Sequence, residues 1–316
     1  MKYSYILPVY NEQENISELY GRLTKVAKSL STSYELIFVN DGSVDSTLPM
    51  LMDLNKKDDK IKIIDFSRNF GHQMAVTAGL NFSTGKFVAV LDADLQDPPE
   101  ILPDFFGKLE EGFDVVYAIR TDRQESWLLK ICYKLFYRVL KKIAKIDMPL
   151  DSGDFCVMSK RVVDLMGQMP EKNRFVRGIR SWVGFKQTGL EYKRQARFAG
   201  KSKYHFTNLV KLALDGVLSF SYMPLRMLAA AGLVTFIISI LGSLLAVYMR
   251  FFTNIFVPGF ATTVILIMFM GGLNMLSLGL VGEYLGRIYD EVKQRPQYII
   301  NFTIGFSKHG RKKKKN

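Results

Sequence analysis

An α/β domain built on a mainly parallel, Rossmann-like sheet, followed by a hairpin of two membrane-spanning helices, is the architecture this sequence predicts. Three observations carry the prediction. Short apolar, β-rich runs alternate with helical patterns up to about Ala118. Asp92-Ala93-Asp94 closes one of those runs. The last third of the chain carries no charge from Met227 to Met249 and none from Phe251 to Gly282.

Taken in order, the strand candidates are Tyr3 to Val9, Tyr34 to Asn40, Ile61 to Phe66, Phe87 to Asp92 and Val115 to Ile119. Between them the spacing predicts helices near Glu12 to Leu30, Ser46 to Asn55, Gly71 to Phe82 and Glu100 to Glu111. Near-continuous apolar strands alternating with helices imply a parallel sheet covered on both faces. Ligands of such sheets sit at the carboxyl ends of the strands. Those ends carry Tyr10-Asn11-Glu12, Asp41-Gly42-Ser43, Ser67-Arg68-Asn69, Asp92-Ala93-Asp94 and Arg120.

From Ser126 to Ile146 the chain changes character. Lys130, Lys134, Arg138, Lys141, Lys142 and Lys145 recur at helical spacing opposite Trp127, Leu128, Ile131, Leu135, Val139 and Ile143. A basic amphipathic helix of this kind is expected to lie in a membrane interface. A second is expected over Asn208 to Phe220, leading to Pro224 and the first span. The resulting organisation is a sheet domain over 1–205 that includes the interfacial helix at about 126–146, and a juxtamembrane helix over 206–226. Two spans follow within 227–282, at about 228–249 and 260–281, and then a basic tail over 283–316. Each span can cross ~30 Å of hydrocarbon at ~1.5 Å per residue.

Lysine and arginine bias orients the hairpin. Only Arg250 lies between the spans, whereas Lys211 and Arg226 precede them and Arg287, Lys293, Arg295 and the run Arg311 to Lys315 follow. Both termini and the sheet domain are therefore expected on the cytoplasmic side of an inner or plasma membrane. The net charge of +13 fits a place beside anionic lipid. No groove-reading motif accompanies the basic tail, so no nucleic-acid partner is expected. Cys132 and Cys156 lack metal spacing and read as packing residues in a reducing compartment. No sustained apolar stretch opens the chain, so no cleaved signal peptide is expected.

The chemistry centres on Asp92 and Asp94. Residues two apart on a strand share a side, so both carboxylates, with the Gln96 amide oxygen just beyond, can meet one hard cation such as Mg²⁺ or Mn²⁺. So few protein ligands leave coordination free for a diphosphate. The plainer alternative is a turn in which Asp94 and Asp97 cap the helix that Pro98-Pro99-Glu100 opens, and for Asp97 capping is the expected role. Glu12 and Asp41, each beside a tight turn, suit hydrogen bonds to a base or ribose, although either fits a helix start or a turn as well. His72, His205 and His309 show no ligand spacing and read as structural or solvated.

The motifs Pro8-Val9-Tyr10-Asn11-Glu12, Asn40-Asp41-Gly42-Ser43-Val44-Asp45, Ser67-Arg68-Asn69-Phe70-Gly71, Asp92 to Glu100, Gly153-Asp154-Phe155 and Arg194 to Tyr204 occur in that order. With them, and over nearly its whole length, the chain resembles the family 2 glycosyltransferases with a GT-A fold. The polyprenyl-phosphate branch, which holds the bactoprenol glucosyltransferases and dolichol-phosphate mannose synthases, is the most similar. The resemblance implies a nucleotide-sugar site lined by Pro8, Tyr10, Asn11, Glu12, Asp41, Asp92 and Ala93, and a metal site of Asp92, Asp94 and Gln96. It implies an acceptor-phosphate site of Arg120, Arg197 and Lys203 with Ser126 and Lys130, and catalytic roles for Asp154 and Asp94.

The expected reaction is inverting, metal-dependent transfer of a hexose from a nucleotide sugar to undecaprenyl phosphate. UDP-glucose is the expected donor; UDP-N-acetylglucosamine, GDP-mannose and an aminoarabinose donor are the alternatives. An acceptor phosphate monoester, with a second pKa near ~6, is mostly dianionic at neutral pH and needs little help from a base. Asp154 is thus expected to orient a reactant. A homo-oligomer, up to a tetramer, and a separate flippase for the product are the expected partners. A processive polysaccharide synthase would carry a Gln-x-x-Arg-Trp signature and more spans. A membrane-tethered nucleotide-sugar binder is the non-enzymatic alternative.

Overall fold

The computed structural model describes residues 1–31, 33–120, 152–172, 174–192, 223–252 and 259–306. The interfacial helix expected at 126–146, that expected at 208–220, and the Arg311 to Lys315 run lie outside these residues. The chain divides into a sheet unit, Met1–Ala213 with Pro296–Asn316, and a helical unit, Leu214–Arg295.

The sheet unit contains β1 (Tyr3–Val9), α1 (Ile16–Leu30), β2 (Tyr34–Asn40), α2 (Thr47–Lys57), β3 (Ile61–Phe66), α3 (His72–Phe82), β4 (Phe87–Val90), a 3-10 turn at Pro99–Ile101, α4 (Leu102–Glu110) and β5 (Val115–Arg120). After these come β6 (Ser152–Ser159), α5 (Lys160–Gln168), α6 (Val176–Trp182), β7 (Gln187–Tyr192) and β8 (Ile300–Ile304). The sheet order is β7-β5-β6-β4-β1-β2-β3-β8. Strands β4, β1, β2 and β3 are parallel, whereas β6 and β8 run against their neighbours. The mainly parallel α/β sheet anticipated from the sequence is therefore present.

Strands β1 and β2 are buried along their whole length, as strands covered on both faces must be. On one face Leu19 and Leu23 of α1, Leu51 of α2 and Phe105 and Phe106 of α4 pack against Tyr3, Tyr5, Leu36 and Phe38. The rings of Tyr3 and Phe106 lie 4.4 Å apart. On the other face Ala75 and Ala78 of α3 pack on Ile37, Val39 and Ile64. Helix α1 begins at Ile16, later than the Glu12 expected. The preceding residues form a turn in which the Asn15 N–H donates to the Glu12 carbonyl at 2.9 Å.

The stretch from 283, expected as a tail, is corrected in part. The second long helix runs on to Val292, and β8 then pairs antiparallel with β3 as an edge of the sheet. Buried Asp65 bridges this junction, accepting from Asn40 Nδ2 at 2.7 Å and from Asn301 Nδ2 at 2.9 Å. Tyr298 stacks on Phe66 with ring centroids 5.0 Å apart.

The helical unit consists of α7 (Met223–Phe252) and α8 (Phe260–Val292). Their apolar windows, Leu225–Gly242 and Ile265–Val292, have mean hydropathies of 2.0 and 1.9. Leu233, Phe236, Leu241, Ile267 and Phe269 are exposed. Water would penalise so large a continuous apolar surface.

Candidate active site

Strand polarity fixes where chemistry can gather. The carboxyl ends of β1 to β4 share one edge, and because β6 is antiparallel to β4, its amino end reaches the same edge. Val90 pairs with Cys156. Carrying that register two residues further sets Asp92 opposite Asp154.

Strand β4 ends at Val90, two residues before the Asp92 expected, and Asp92 to Asp97 form a turn. The alternation nevertheless persists. Leu91, Ala93 and Leu95 are buried, while Asp92, Asp94 and Gln96 are partly exposed. Leu95 adopts φ 58°, a left-handed conformation uncommon for a branched side chain and held here by burial in the core. The Gln96 N–H donates to Asp94 Oδ1 at 3.2 Å. Ala93, expected at the nucleotide, has its side chain in the core.

Asp97 does not cap a helix. It is buried and accepts the Tyr192 hydroxyl, and no side-chain bond caps the 3-10 turn or α4. Pro99 also lacks the N–H that would stand two residues after Asp97, one of the two that a capping carboxylate would take.

His72, the first residue of α3, stands between the two facing acids. Its Nε2 is 3.5 Å from Asp92 Oδ1 and 3.5 Å from Asp154 Oδ2. Arg177 of α6 grips Asp154 in a fork, Nε donating to Oδ1 at 2.7 Å and Nη2 to Oδ2 at 2.9 Å. Burial pushes the Asp154 carboxyl up, but Arg177 and His72 outweigh it and hold the group well below the usual carboxylate range. Asp92 has no such fork. Burial raises it to about 6, against the pull of His72 and with Asp97, Asp154 and Asp94 adding to the rise. Burial lowers His72, and Asp154 and Asp92 reverse that to leave it at about 9.

Beside this cluster the loops after β1 and β2 are sewn together. Asn11, at φ 53°, donates its N–H to Ser43 Oγ at 2.9 Å, and its Oδ1 accepts the Val44 N–H at 2.9 Å. The Glu12 N–H donates to Thr47 Oγ1 at 2.9 Å, and its carboxylate accepts from Asn15 Nδ2 at 2.6 Å. Tyr10 is exposed, whereas Pro8 is buried within β1. Asp41 reaches the next loop, accepting the Phe70 N–H at 2.7 Å and the Gly71 N–H at 2.9 Å. It thereby organises the segment that opens α3 and presents His72. Burial raises the Asp41 carboxyl, and these amides work against the rise.

Arg120 ends β5 at the same edge. Ser126, Lys130, Arg197 and Lys203 lie outside the described residues. Asp92 and Asp154 come together, and beside them stand His72 and Arg177, which sequence reasoning did not select. The position of His72, straight after a strand-end loop, was a usable signal. For Arg177 there was none.

Asp92, Asp94 and Gln96 offer two carboxylates and an amide oxygen, hard donors that suit Mg²⁺ or Mn²⁺. The buried Oδ1 of Asp92 makes no hydrogen bond, which fits a ligand atom. Among the described residues no three or more His, Cys, Asp or Glu side chains group as a metal site. An ion here would draw on ligands beyond the protein.

The sequence model of Glycosyl transferase family 2 matches residues 4–166. An uncharacterized glycosyltransferase of Bacillus subtilis (strain 168), YkcC, is 44% identical over 306 residues, 96% of this chain and 95% of its own. A prophage bactoprenol glucosyl transferase homolog of Escherichia coli (strain K12) is 39% identical over 95% of this chain and 98% of its own. The bactoprenol glucosyl transferase of Shigella phage SfII is 39% identical over 95% and 97%. Among solved structures, the glucosyl-3-phosphoglycerate synthase of Mycobacterium tuberculosis in complex with Mn²⁺, UDP and glucosyl-3-phosphoglycerate aligns with a TM-score of 0.49 at 16% identity, over 69% of this chain and 77% of that one.

Proposed function

The chain belongs to glycosyl transferase family 2, and we propose that it moves a hexose from a nucleoside-diphosphate sugar to a polyprenyl phosphate at the cytoplasmic face of a membrane. The observation that carries this reading is Asp92 facing Asp154 at one sheet edge of a chain that also carries two long apolar helices. Relatives named as bactoprenol glucosyl transferases, matched over nearly their whole length, support a polyprenyl acceptor and favour glucose.

Asp92, Asp94 and Gln96 would hold a divalent ion. When bound, it supplies positive charge to the diphosphate oxygens of the donor. The sewn loops after β1 and β2, with Tyr10, Asn11, Glu12 and Asp41, would bind the nucleoside. An acceptor phosphate oxygen attacks the anomeric carbon while the bond from that carbon to the β-phosphate oxygen breaks, so the configuration inverts. The dianionic acceptor brings its own electron pair, and the carboxylate of Asp154 orients a reactant without taking a proton. Arg120, with Arg197, Lys203, Ser126 and Lys130, would screen the repulsion between acceptor and diphosphate.

The connectivity supports a topology with both termini on one side of the membrane. The chain leaves the sheet unit ahead of α7 and rejoins it as β8. Two crossings would return it to the side it left, and lysine and arginine bias supports a cytoplasmic placement of that side. Two spans are few for a transport pore, so a separate flippase would carry the product outward. The assembly would be a homo-oligomer of up to four chains.

The test is to offer protein in undecaprenyl phosphate-containing membranes a panel of labelled nucleotide sugars with Mn²⁺. One sugar, UDP-glucose on this reading, should yield a single glycolipid labile to mild acid, with the anomeric configuration inverted. Saturable binding of a nucleotide sugar with no glycolipid would favour a membrane-tethered binder instead.

A further inference from the structure

The surroundings of the two facing carboxylates differ. Asp92 Oδ1 is buried and makes no hydrogen bond. Asp154 has both oxygens engaged by the Arg177 fork, at 2.7 and 2.9 Å. A bidentate guanidinium fixes the plane of a carboxylate as well as neutralising it. The fork is itself held, because Gln73 Oε1 accepts the Val176 N–H at 2.9 Å and so ties the start of α6 to the start of α3.

We propose that Arg177 is a positioning residue that keeps Asp154 out of the coordination shell of the divalent ion held by Asp92 and Asp94. The inference rests on reading those two aspartates as metal ligands. Mg²⁺ in nucleotide enzymes is held by one or two carboxylates and completes its shell with phosphate oxygens and water. Asp154 stands opposite Asp92, and His72 Nε2 is 3.5 Å from each. An untethered carboxylate there is a ready extra ligand. It would tighten the ion in the empty enzyme and occupy a position that the diphosphate needs. The fork directs Asp154 to the reactants and reserves the open position for the donor.

The test is a Mn²⁺ titration of the full chain in detergent, followed by electron paramagnetic resonance, with and without UDP. Wild-type protein should bind Mn²⁺ weakly alone and more tightly with UDP. Arg177→Ala should bind nucleotide-free Mn²⁺ about tenfold more tightly and gain less from UDP, in the range by which outer-shell partners tune metal affinity. Adding Asp154→Asn should reverse both changes. Arg177→Lys keeps the charge without the fork and should fall between.

Unchanged or weaker nucleotide-free affinity in both Arg177 variants, beside a normal wild-type response, overturns the clamp and leaves the metal site standing. A tightening that Asp154→Asn does not reverse also overturns it. Wild-type protein that binds no Mn²⁺ even with UDP overturns the metal site and the clamp together.

Discussion

Gly42 bears no chemistry, yet replacing it with alanine should damage the site. It follows Asp41 at φ 68°, and a Cβ there would stand 2.5 Å from the backbone carbon of Arg68 and 2.6 Å from the backbone nitrogen of Asn69. A left-handed alanine costs ~1–2 kcal/mol. The contacts are with backbone, which no rotamer change relieves, and overpacking of this kind costs ~1–3 kcal/mol. The expected loss is therefore about 2–5 kcal/mol unless the loops part. Parting would stretch the bonds from Phe70 and Gly71 to Asp41 that present His72. Urea unfolding in detergent, followed by fluorescence and paired with a UDP-binding titration, measures both routes. Gly21→Ala is the control, since this exposed glycine inside α1 has nothing within 4 Å of its would-be Cβ. It should stabilise by ~0.5–1 kcal/mol. If Gly42→Ala unfolded within about 0.5 kcal/mol of wild type and bound UDP normally, the reasoning about these loops would be refuted.

Further consequences follow from buried partners. Burial raises the Glu35 carboxyl, but Lys62 at 2.5 Å, Ser4 and the Thr84 amide outweigh it and leave the group lowered. Its stabilisation is thus present above the unfolded value near ~4.3 and fades as pH falls through the lower folded value. Lys62→Met should cost ~3–5 kcal/mol at neutral pH and move the acid-unfolding midpoint upward, read by circular dichroism. Gln73→Ala should cost ~1–2 kcal/mol and slow transfer, because the Val176 N–H loses its acceptor and the start of α6 loosens beside Arg177. Tyr298→Ala removes the stack on Phe66 and the bond from Asn81 Nδ2 to the hydroxyl. It should cost ~3 kcal/mol and raise proteolysis near β8 before that of the remaining sheet.

Strands β1, β2 and β3 were legible to the residue, because uninterrupted apolar runs between turn residues have one reading in an α/β chain. Strand β4 was overrun by two residues, since Leu91 and Asp92 keep the alternation after the ladder stops. Strands β6, β7 and β8 escaped notice. Their pairing partners are distant in sequence, and β8 was obscured by a basic surrounding that reads as a tail. In the candidate site, the placement of Asp92 and Asp94 at the carboxyl edge of the sheet was legible from the strand-end rule alone. Asp154 came only through family resemblance, because an aspartate at the start of a strand looks ordinary until the antiparallel direction of β6 is known. Arg177 was invisible for a physical reason. Its role depends on a fork across the fold to a residue 23 positions earlier in the sequence, and local spacing encodes nothing of that.

Transfer measured against free Mn²⁺, for wild type and for Asp92→Asn in membranes containing undecaprenyl phosphate, tests the central claim most directly. Wild-type transfer should vanish with a chelator and return with Mn²⁺ or Mg²⁺. Asp92→Asn should remain at least about 100-fold slower at any Mn²⁺ concentration, as the loss of a charge-stabilising group at a reacting diphosphate implies. Chelator-resistant transfer by wild-type protein, or transfer at the wild-type rate by Asp92→Asn, would contradict it.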